Sequence, residues 1–290
     1  MIGLIDRMKI NKTYFELKNK RQRIISGDIY FPEENQNKLP LLIISHGFKG
    51  FKDWGFFPYI SSKFAEQGFI TICYNFSMNG KPNDDLIVTN LDDFANNTVS
   101  SQTEDLHYLI NSVVQNSIKE FDLIQKNWNG SIYLMGHSLG GGVSLLVSVI
   151  EPKISKIALW ASIAKFDRYT GRQKKEWKKK GFLEFKNQQT NQLLKMNVSY
   201  LEDVEFNKEK FDLLKLIPQL EKPVLLIHGM QDLTVPLKEA QMLIDADQKN
   251  IINNIFIERT GHTFGIEHPF TKTTSALEDA IKSTIDFFRL

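Results

Sequence analysis

The sequence is poor in several features that would otherwise define its class. Its 290 residues contain one cysteine, Cys73, so an intrachain disulfide is impossible and no oxidising compartment is needed. Cys73 lies in the apolar run of residues 69–74, where we expect a buried, unreactive thiol. No apolar run is long enough to cross a bilayer, and residues 1–7 lack the apolar stretch of a signal peptide. We therefore expect a cytoplasmic protein without a membrane partner.

The charge balance and the few histidines exclude further classes. The net charge is only +2, so the overall charge of the chain does not indicate nucleic-acid binding. The six histidines show no tight ligand spacing, so we expect neither a metal nor a cofactor. Hydrophobic residues make up 42% of the chain and charged residues 24%, as in ordinary globular proteins. At this length the chain can form one large α/β domain, or a core with an inserted subdomain.

What the sequence does contain is a regular alternation of buried strands and helices. Residues 13–31 alternate apolar and polar side chains, which predicts one or two antiparallel edge strands with a break at Gly27-Asp28. Polar residues at 33–38 predict a turn, and residues 75–97 a long loop. A continuous apolar run at 39–45 and largely apolar runs at 69–74, 132–135, 154–161 and 224–228 predict buried strands, and residues 251–257 are expected to form the last strand. Helical spacing follows at 58–67, 98–118, 237–246 and 275–290. The pattern predicts a mostly parallel sheet with helices on both faces.

Residues 163–216 interrupt this alternation, because they are charge-rich and contain no buried-strand run. We expect residues 1–162 and 217–290 to form the core, and 163–216 to be a cap over the carboxyl edge of the sheet. Between 165 and 186 there are nine basic and three acidic residues, which indicates either a solvated helix face or attraction of an anionic substrate. Among the cap aromatics, Trp177 and Phe182 are candidate substrate contacts, although such residues most simply pack the cap on the core.

The stretch 132–142 is the centre of the sequence. Apolar residues run directly into Gly136-His-Ser138-Leu-Gly140, and a second apolar run follows from 143 to 150. This predicts a strand, an abrupt turn and a helix, with Ser138 at the spacing of a nucleophile elbow. The small residues at 136 and 140 are needed because a side chain there would crowd the neighbouring backbone.

A serine nucleophile needs a base and an acid that orients the base, both expected after late strands. Asp232 follows the strand that ends at His228, and the rival acid is Asp167. His262 follows the last strand and is the candidate base, with His268 as its rival. We expect His107 and His228 to be structural.

An oxyanion hole requires two backbone N–H groups that face the developing negative charge. One is expected from Leu139, the residue after the nucleophile. The other is expected from the loop after the strand at 39–45, and we assign it to Phe48 in His46-Gly47-Phe48.

These motifs, with Gly261-His262, resemble those of α/β-hydrolase-fold serine hydrolases over about residues 39–290. Within that superfamily the chain is similar to bacterial feruloyl and cinnamoyl esterases and to dienelactone-hydrolase-like or acylaminoacyl-peptidase-like proteins. Too few residues precede the core for a β-propeller, which argues against a prolyl-oligopeptidase arrangement. The resemblance implies an enzyme that hydrolyses small-molecule carboxylic esters with a small to medium acyl or aryl acyl group. An aminopeptidase or thioesterase with the same triad, and a non-catalytic binding protein on this fold, are the alternatives.

Overall fold

The computed structural model describes residues 9–33, 37–82, 86–187 and 190–290. The strands of its main sheet are β1 Ile10–Lys18, β2 Ile24–Pro32, β3 Leu39–Ser45, β4 Ile70–Asn75, β5 Trp128–His137, β6 Ile154–Trp160, β9 Val224–Gly229 and β10 Ile252–Ile257. Within these described ranges they form one sheet in the order β1-β2-β4-β3-β5-β6-β9-β10. The β1–β2 and β2–β4 pairs are antiparallel, and the other pairs are parallel. The expected mostly parallel sheet is confirmed.

Helices cover both faces of this sheet. They are α1 Phe57–Glu66, α2 Leu91–Ala95, α3 Val99–Val114, α4 Asp122–Asn127, α5 Leu139–Ile150, α6 Gly171–Lys180, α7 Val198–Phe206, α8 Leu213–Leu216, α9 Leu237–Asp245 and α10 Ser275–Arg289. Short 3₁₀ turns lie at Lys119–Phe121 and Ile217–Gln219. Helices α1 and α10 contribute to one apolar core, and α3, α5 and α9 to the other. The sheet is therefore sandwiched between two helical layers.

Strand β3 shows why the buried strands have continuous apolar sequences. Leu41 and Ile43 belong to one core, whereas Leu42 and Ile44 belong to the other. Because successive strand residues point to opposite faces, a strand covered on both sides must be apolar at every position. The ends of such strands meet at one edge, where the loops that follow β3, β5, β9 and β10 converge.

The expected break at Gly27-Asp28 is wrong, because both residues lie inside β2. The chain turns instead at residues 19–23, and β1 pairs with β2 along its whole length. Gly27 makes room for a ring, since a Cβ there would lie 2.4 Å from the tip of Phe15. Asp28 is buried in the sheet with Lys52, whose ammonium lies 2.8 Å from its carboxylate. Tertiary contacts thus account for two residues that resemble turn formers.

The long loop expected at residues 75–97 is interrupted by α2. The Asn90 side chain caps this helix by accepting a hydrogen bond from the Asp93 N–H. Within this expected loop, residues 83 and 84 of the turn signal Pro82-Asn83-Asp84 lie outside the described residues, as do residues 34–36 of the polar turn expected at 33–38.

The segment 163–216 contains α6, α7, α8 and a hairpin of β7 Phe182–Lys186 and antiparallel β8 Leu193–Asn197. The hairpin packs on α2, where Leu194 and Phe185 join Phe94 and Val88 in a small apolar cluster. Helix α7 is attached to α3, because the Ser100 N–H donates to the Asp203 carboxylate at 2.9 Å.

Candidate active site

Ser138 lies at the sharp turn between β5 and α5. Its backbone has φ 58° and ψ −119°, a conformation that non-glycine residues rarely adopt. Its N–H donates to the Trp160 carbonyl at 2.9 Å, which holds the turn against β6. A Cβ at Gly136 would lie 2.3 Å from the Gly140 oxygen, and one at Gly140 would lie 2.4 Å from the Ser45 oxygen. Only glycine fits at either position, as the spacing predicts.

Asp232 and His262 come together although 30 residues separate them in sequence. His262 Nδ1 donates to Asp232 Oδ2 at 2.7 Å. Asp232 Oδ1 accepts the N–H groups of Thr234 and Val235, both at 2.8 Å, so the carboxylate is fixed at both oxygens. Burial raises the pKa of Asp232, but hydrogen bonds from His228 and His262 outweigh it and hold the pKa well below its usual range. The carboxylate is therefore ionised and oriented toward the imidazole.

Ser138 and His262 line the same cavity, which has a volume of about 770 Å³. The Ser138 hydroxyl makes no hydrogen bond within the described residues. Such contacts are often long before substrate binds, so this geometry is compatible with proton transfer to His262. The cavity volume falls within the usual range for small-molecule sites.

The two candidate oxyanion donors lie beside Ser138. The Leu139 N–H is the first of α5, and the first N–H groups of a helix have no intrahelical acceptor. The loop after β3 passes close to the nucleophile, because a Cβ at Gly47 would lie only 2.9 Å from the Ser138 Cβ. Phe48 follows in this loop, and its ring contacts Phe94 and Phe185 with centroid separations of 5.7 and 5.4 Å.

Three further histidines hold the loops around this cavity. His46 Nδ1 donates to the Gly47 carbonyl at 2.9 Å, and burial lowers the pKa of His46 to about 4. His137 Nε2 donates to the His262 carbonyl at 2.9 Å, and burial together with the nearby His262 lowers the pKa of His137 to about 3. His228 Nε2 lies 2.8 Å from the Val235 carbonyl in the turn that carries Asp232. The sequence indicates no role for His46 or His137 beyond their place in the motifs, because their partners come from tertiary structure.

The rival candidates lie elsewhere. The carboxylate of Asp167 pairs with Lys174 on α6 at 2.6 Å. His268 stacks on Trp54 and accepts the Gly55 N–H at 2.9 Å. His107 lies on α3, 3.7 Å from a carboxylate oxygen of Glu151. Neither rival, nor His107, which was expected to be structural, is on the wall of the cavity that Ser138 lines, as far as the described residues define it.

The structure does not bring Trp177 or Phe182 to the wall of the cavity formed by the described residues. Trp177 is buried, stacks on Tyr200 at 6.1 Å and donates its indole N–H to the Met196 carbonyl. Phe182 lies under the ammonium of Lys195, 4.4 Å from the ring centroid. The residues of this segment that do reach the cavity include Phe166, Tyr169, Met196 and Tyr200.

Two features are absent from the described ranges. No group of three His, Cys, Asp or Glu side chains there is arranged to hold a metal ion. None of the helices in those ranges combines the length and the apolar character needed to cross a bilayer.

Solved structures of other proteins share this architecture. Est1E from Butyrivibrio proteoclasticus matches with a TM-score of 0.67 and 16% identity, covering 95% of this chain and 97% of that chain. DcsB, solved with its substrate analogue, matches with a TM-score of 0.71 and 17% identity over 96% and 99% of the two chains. Alpha/beta hydrolase domain-containing protein 10 from mouse gives 0.69 and 18% identity over 96% and 98%. At these identities the likeness establishes the α/β-hydrolase fold.

Sequence comparison is more specific about ancestry. No curated protein sequence matches the chain. The family match lies within the α/β core itself, whereas the sequence argued only against a β-propeller ahead of that core. It spans residues 112–288, more than half of the chain, from the end of α3 into α10. The chain thus belongs to the prolyl oligopeptidase family and is a hydrolase with the α/β-hydrolase fold.

Proposed function

We propose that this protein is a serine hydrolase that cleaves carboxylic esters through a triad of Ser138, His262 and Asp232. The observation that carries the proposal is the 2.7 Å pair between His262 and a buried carboxylate, at a cavity shared with a strained serine. This pair fixes the histidine with Nδ1 protonated, so that Nε2 presents a lone pair toward the cavity.

In the proposed reaction, Ser138 Oγ attacks the ester carbonyl carbon and His262 Nε2 takes the hydroxyl proton. The carbonyl oxygen gains the negative charge, which the N–H groups of Phe48 and Leu139 stabilise. The C–O bond to the alcohol then breaks, and His262 returns the proton to the leaving oxygen. His262 then takes a proton from water, which attacks the acyl carbon; the bond from that carbon to Ser138 Oγ breaks, His262 returns the proton to Oγ, and the acid is released. No cofactor takes part in this sequence.

We further propose that residues 163–216 act as a cap that supplies much of the acyl pocket. Phe166 and Met196 from this segment line the cavity together with Phe57 of the core, which favours small to medium apolar or aryl acyl groups. Est1E, which is 17% identical to this chain, has been solved with ferulic acid bound. Ferulic acid is an aryl acid, which is compatible with the aryl acyl group proposed here. We also propose that the partner is a small-molecule ester and that the protein is cytoplasmic. A single, buried cysteine is compatible with a reducing compartment.

Hydrolysis of a panel of esters tests this function. We expect kcat/KM to be higher on short-chain 4-nitrophenyl esters or on a methyl hydroxycinnamate than on two comparison substrates, an aminoacyl anilide and a thioester. A dominant anilide or thioester rate would instead identify a peptidase or a thioesterase.

Ser138→Ala should lower kcat by at least about 10³-fold while thermal unfolding stays cooperative, because the nucleophile is lost without a change in packing. A fluorophosphonate probe should label the native enzyme and not this variant. Failure of the native enzyme to react would favour a non-catalytic binding protein.

A further inference from the structure

We propose that the ester substrate carries a carboxylate, and that the Lys49 ammonium binds it inside the cavity beside Ser138. This inference rests on the esterase function proposed above and names the substrate class of that site. It would make the enzyme selective for esters of dicarboxylic acids or of hydroxy acids.

The first observation is the charge of the cavity wall. Its described residues include four basic side chains, of Lys49, Lys81, Lys165 and Arg168, and one acidic side chain, that of Glu239. The Glu239 carboxylate already has partners in the protein: it forms an ion pair with the Arg168 guanidinium at 2.8 Å and accepts the Ala164 N–H at 2.8 Å. Among the described residues, neither Lys49 nor Lys165 has an ion-pair partner, so these two lysines present positive charge to whatever enters the cavity.

The second observation is the isolation of Lys49. It is half-buried, and burial lowers its pKa because the charged form is poorly solvated there. Every other lysine of the described residues that is not exposed has a partner in the protein: Lys52, Lys63 and Lys174 pair with carboxylates, and Lys81, Lys156 and Lys222 donate to backbone carbonyls. Within the described residues, Lys49 makes no such contact. A shielded ammonium without a protein partner is arranged for a ligand.

The third observation is position. Lys49 directly follows the proposed oxyanion donor Phe48, in the turn closed by the Gly50 N–H and the Gly47 carbonyl at 3.0 Å. Gly47 itself lies against Ser138, and the Lys49 Cα can be no more than about 8 Å from the Gly47 Cα along the chain. A lysine at this place can contact a group a few bonds from the scissile carbonyl. Lys165, exposed and also without an ion pair in the described part of the chain, adds positive charge to the same wall.

Matched esters test the proposal. Mono-4-nitrophenyl glutarate and 4-nitrophenyl valerate differ by a carboxylate in place of a methyl group on the acyl side. The pair of 4-acetoxybenzoate and 4-methylphenyl acetate makes the same comparison on the alcohol side. The measurement is the ratio of kcat/KM for the charged ester to that for its neutral match, with the Ser138→Ala protein as the blank for spontaneous hydrolysis. We expect this ratio to exceed one in at least one pair and to fall between 50 and 500 mM salt.

Variants locate the effect. Lys49→Gln should lower the ratio about 10-fold or more, the loss expected for a hydrogen bond to a charged group. Lys49→Arg, which keeps the charge, should retain most of the ratio. Lys180→Gln is the matched control, because it removes the same charge from an exposed position on α6 away from the cavity, and its ratio should equal that of the native enzyme.

A ratio at or below one in both pairs, or a ratio unchanged by Lys49→Gln, would overturn the proposal. Turnover of the neutral esters reports the esterase function separately, so either idea can fail alone. Should no ester be turned over, calorimetric binding of glutarate decides: an affinity equal in the native and Lys49→Gln proteins contradicts the anion site. Equal melting temperatures of the two proteins guard against an effect of misfolding.

Discussion

Replacing Asp232 with asparagine should reverse the tautomer of His262. Two backbone donors, the N–H groups of Thr234 and Val235, point at Oδ1 from 2.8 Å, and His262 Nδ1 points at Oδ2 from 2.7 Å. His228 Nε2 lies farther from Oδ2, at 3.4 Å, and has the Val235 carbonyl as a nearer acceptor at 2.8 Å. An asparagine has one oxygen and one NH₂ to fill these two places. If the NH₂ faced the backbone pair, both N–H groups would lose their acceptor, at a cost of about 1–3 kcal/mol for the buried Val235 N–H alone. The oxygen therefore stays with the backbone and the NH₂ faces His262.

Facing an NH₂ group, His262 Nδ1 must become the acceptor and the proton moves to Nε2. The nitrogen that points to the cavity can then no longer take the serine proton. We expect kcat to fall about 10⁴-fold, which corresponds to about 5.4 kcal/mol in the barrier. The fold should persist, because the two backbone hydrogen bonds that shape the turn are retained.

Steady-state hydrolysis of a short 4-nitrophenyl ester measures this effect, and circular dichroism checks the fold. Asp167→Asn is the matched control, because it changes the rival acid, which pairs with Lys174 and not with His262. It should leave kcat within about twofold of the native value. An Asp232→Asn enzyme with a tenth or more of native kcat, or an equal loss in Asp167→Asn, would refute the assignment of the orienting acid.

Two further predictions concern the elbow and the pH dependence of stability. Gly140→Ala places a Cβ 2.4 Å from the Ser45 oxygen, so the backbone must shift and kcat/KM should fall at least about 100-fold. Gly171→Ala is the control, because its added Cβ has no atom within 4 Å, and its kcat/KM should stay within about twofold of native; equal losses in the two variants would contradict the steric explanation. His46 and His137 are neutral when folded, with pKa values lowered to about 4 and about 3, so below pH 6.5 the unfolded chain binds more protons and the free energy of unfolding should fall toward pH 4 by up to about 1.4 kcal/mol per pH unit for each. Urea unfolding at pH 7.5, 5.5 and 4.5 measures this; a shallower profile in the His137→Gln, His46→Gln double variant than in the native protein supports it, and equal slopes contradict it.

Much of the fold could be predicted because its determinants are local or periodic. A strand buried on both faces needs apolar residues throughout, so β3, β4 and β9 are evident as uninterrupted apolar runs. The elbow is equally local, since the crowding that requires Gly136 and Gly140 comes from the turn itself and from the adjacent β3 loop. The turn between β1 and β2 was misplaced because Gly27 and Asp28 are explained by Phe15 and Lys52, which local sequence cannot reveal.

Part of the candidate site could likewise be predicted from the sequence. Asp232 and His262 follow strands whose order along the chain brings their ends to one edge, and the structure places the two in contact. The hydrogen bond from His137 to the His262 backbone joins residues 125 positions apart, so no pattern could indicate it. The sequence does carry a signal for the buried position of Trp177: it is the one apolar side chain of α6, Gly171–Lys180, and a lone apolar residue on a polar helix anchors that helix to the core.

The ring of Phe48 links two parts of the chain that could otherwise be exchanged as modules. Its backbone belongs to the core loop beside Ser138, while its side chain packs between Phe94 of α2 and Phe185 of the hairpin. A chimera that receives the segment 163–216 from a homologue would therefore change the support of the proposed oxyanion donor as well as the proposed acyl pocket. Such a graft would keep its turnover only if residues 94 and 185 are transplanted as a matched pair, so selectivity and catalytic rate cannot be engineered independently in this scaffold.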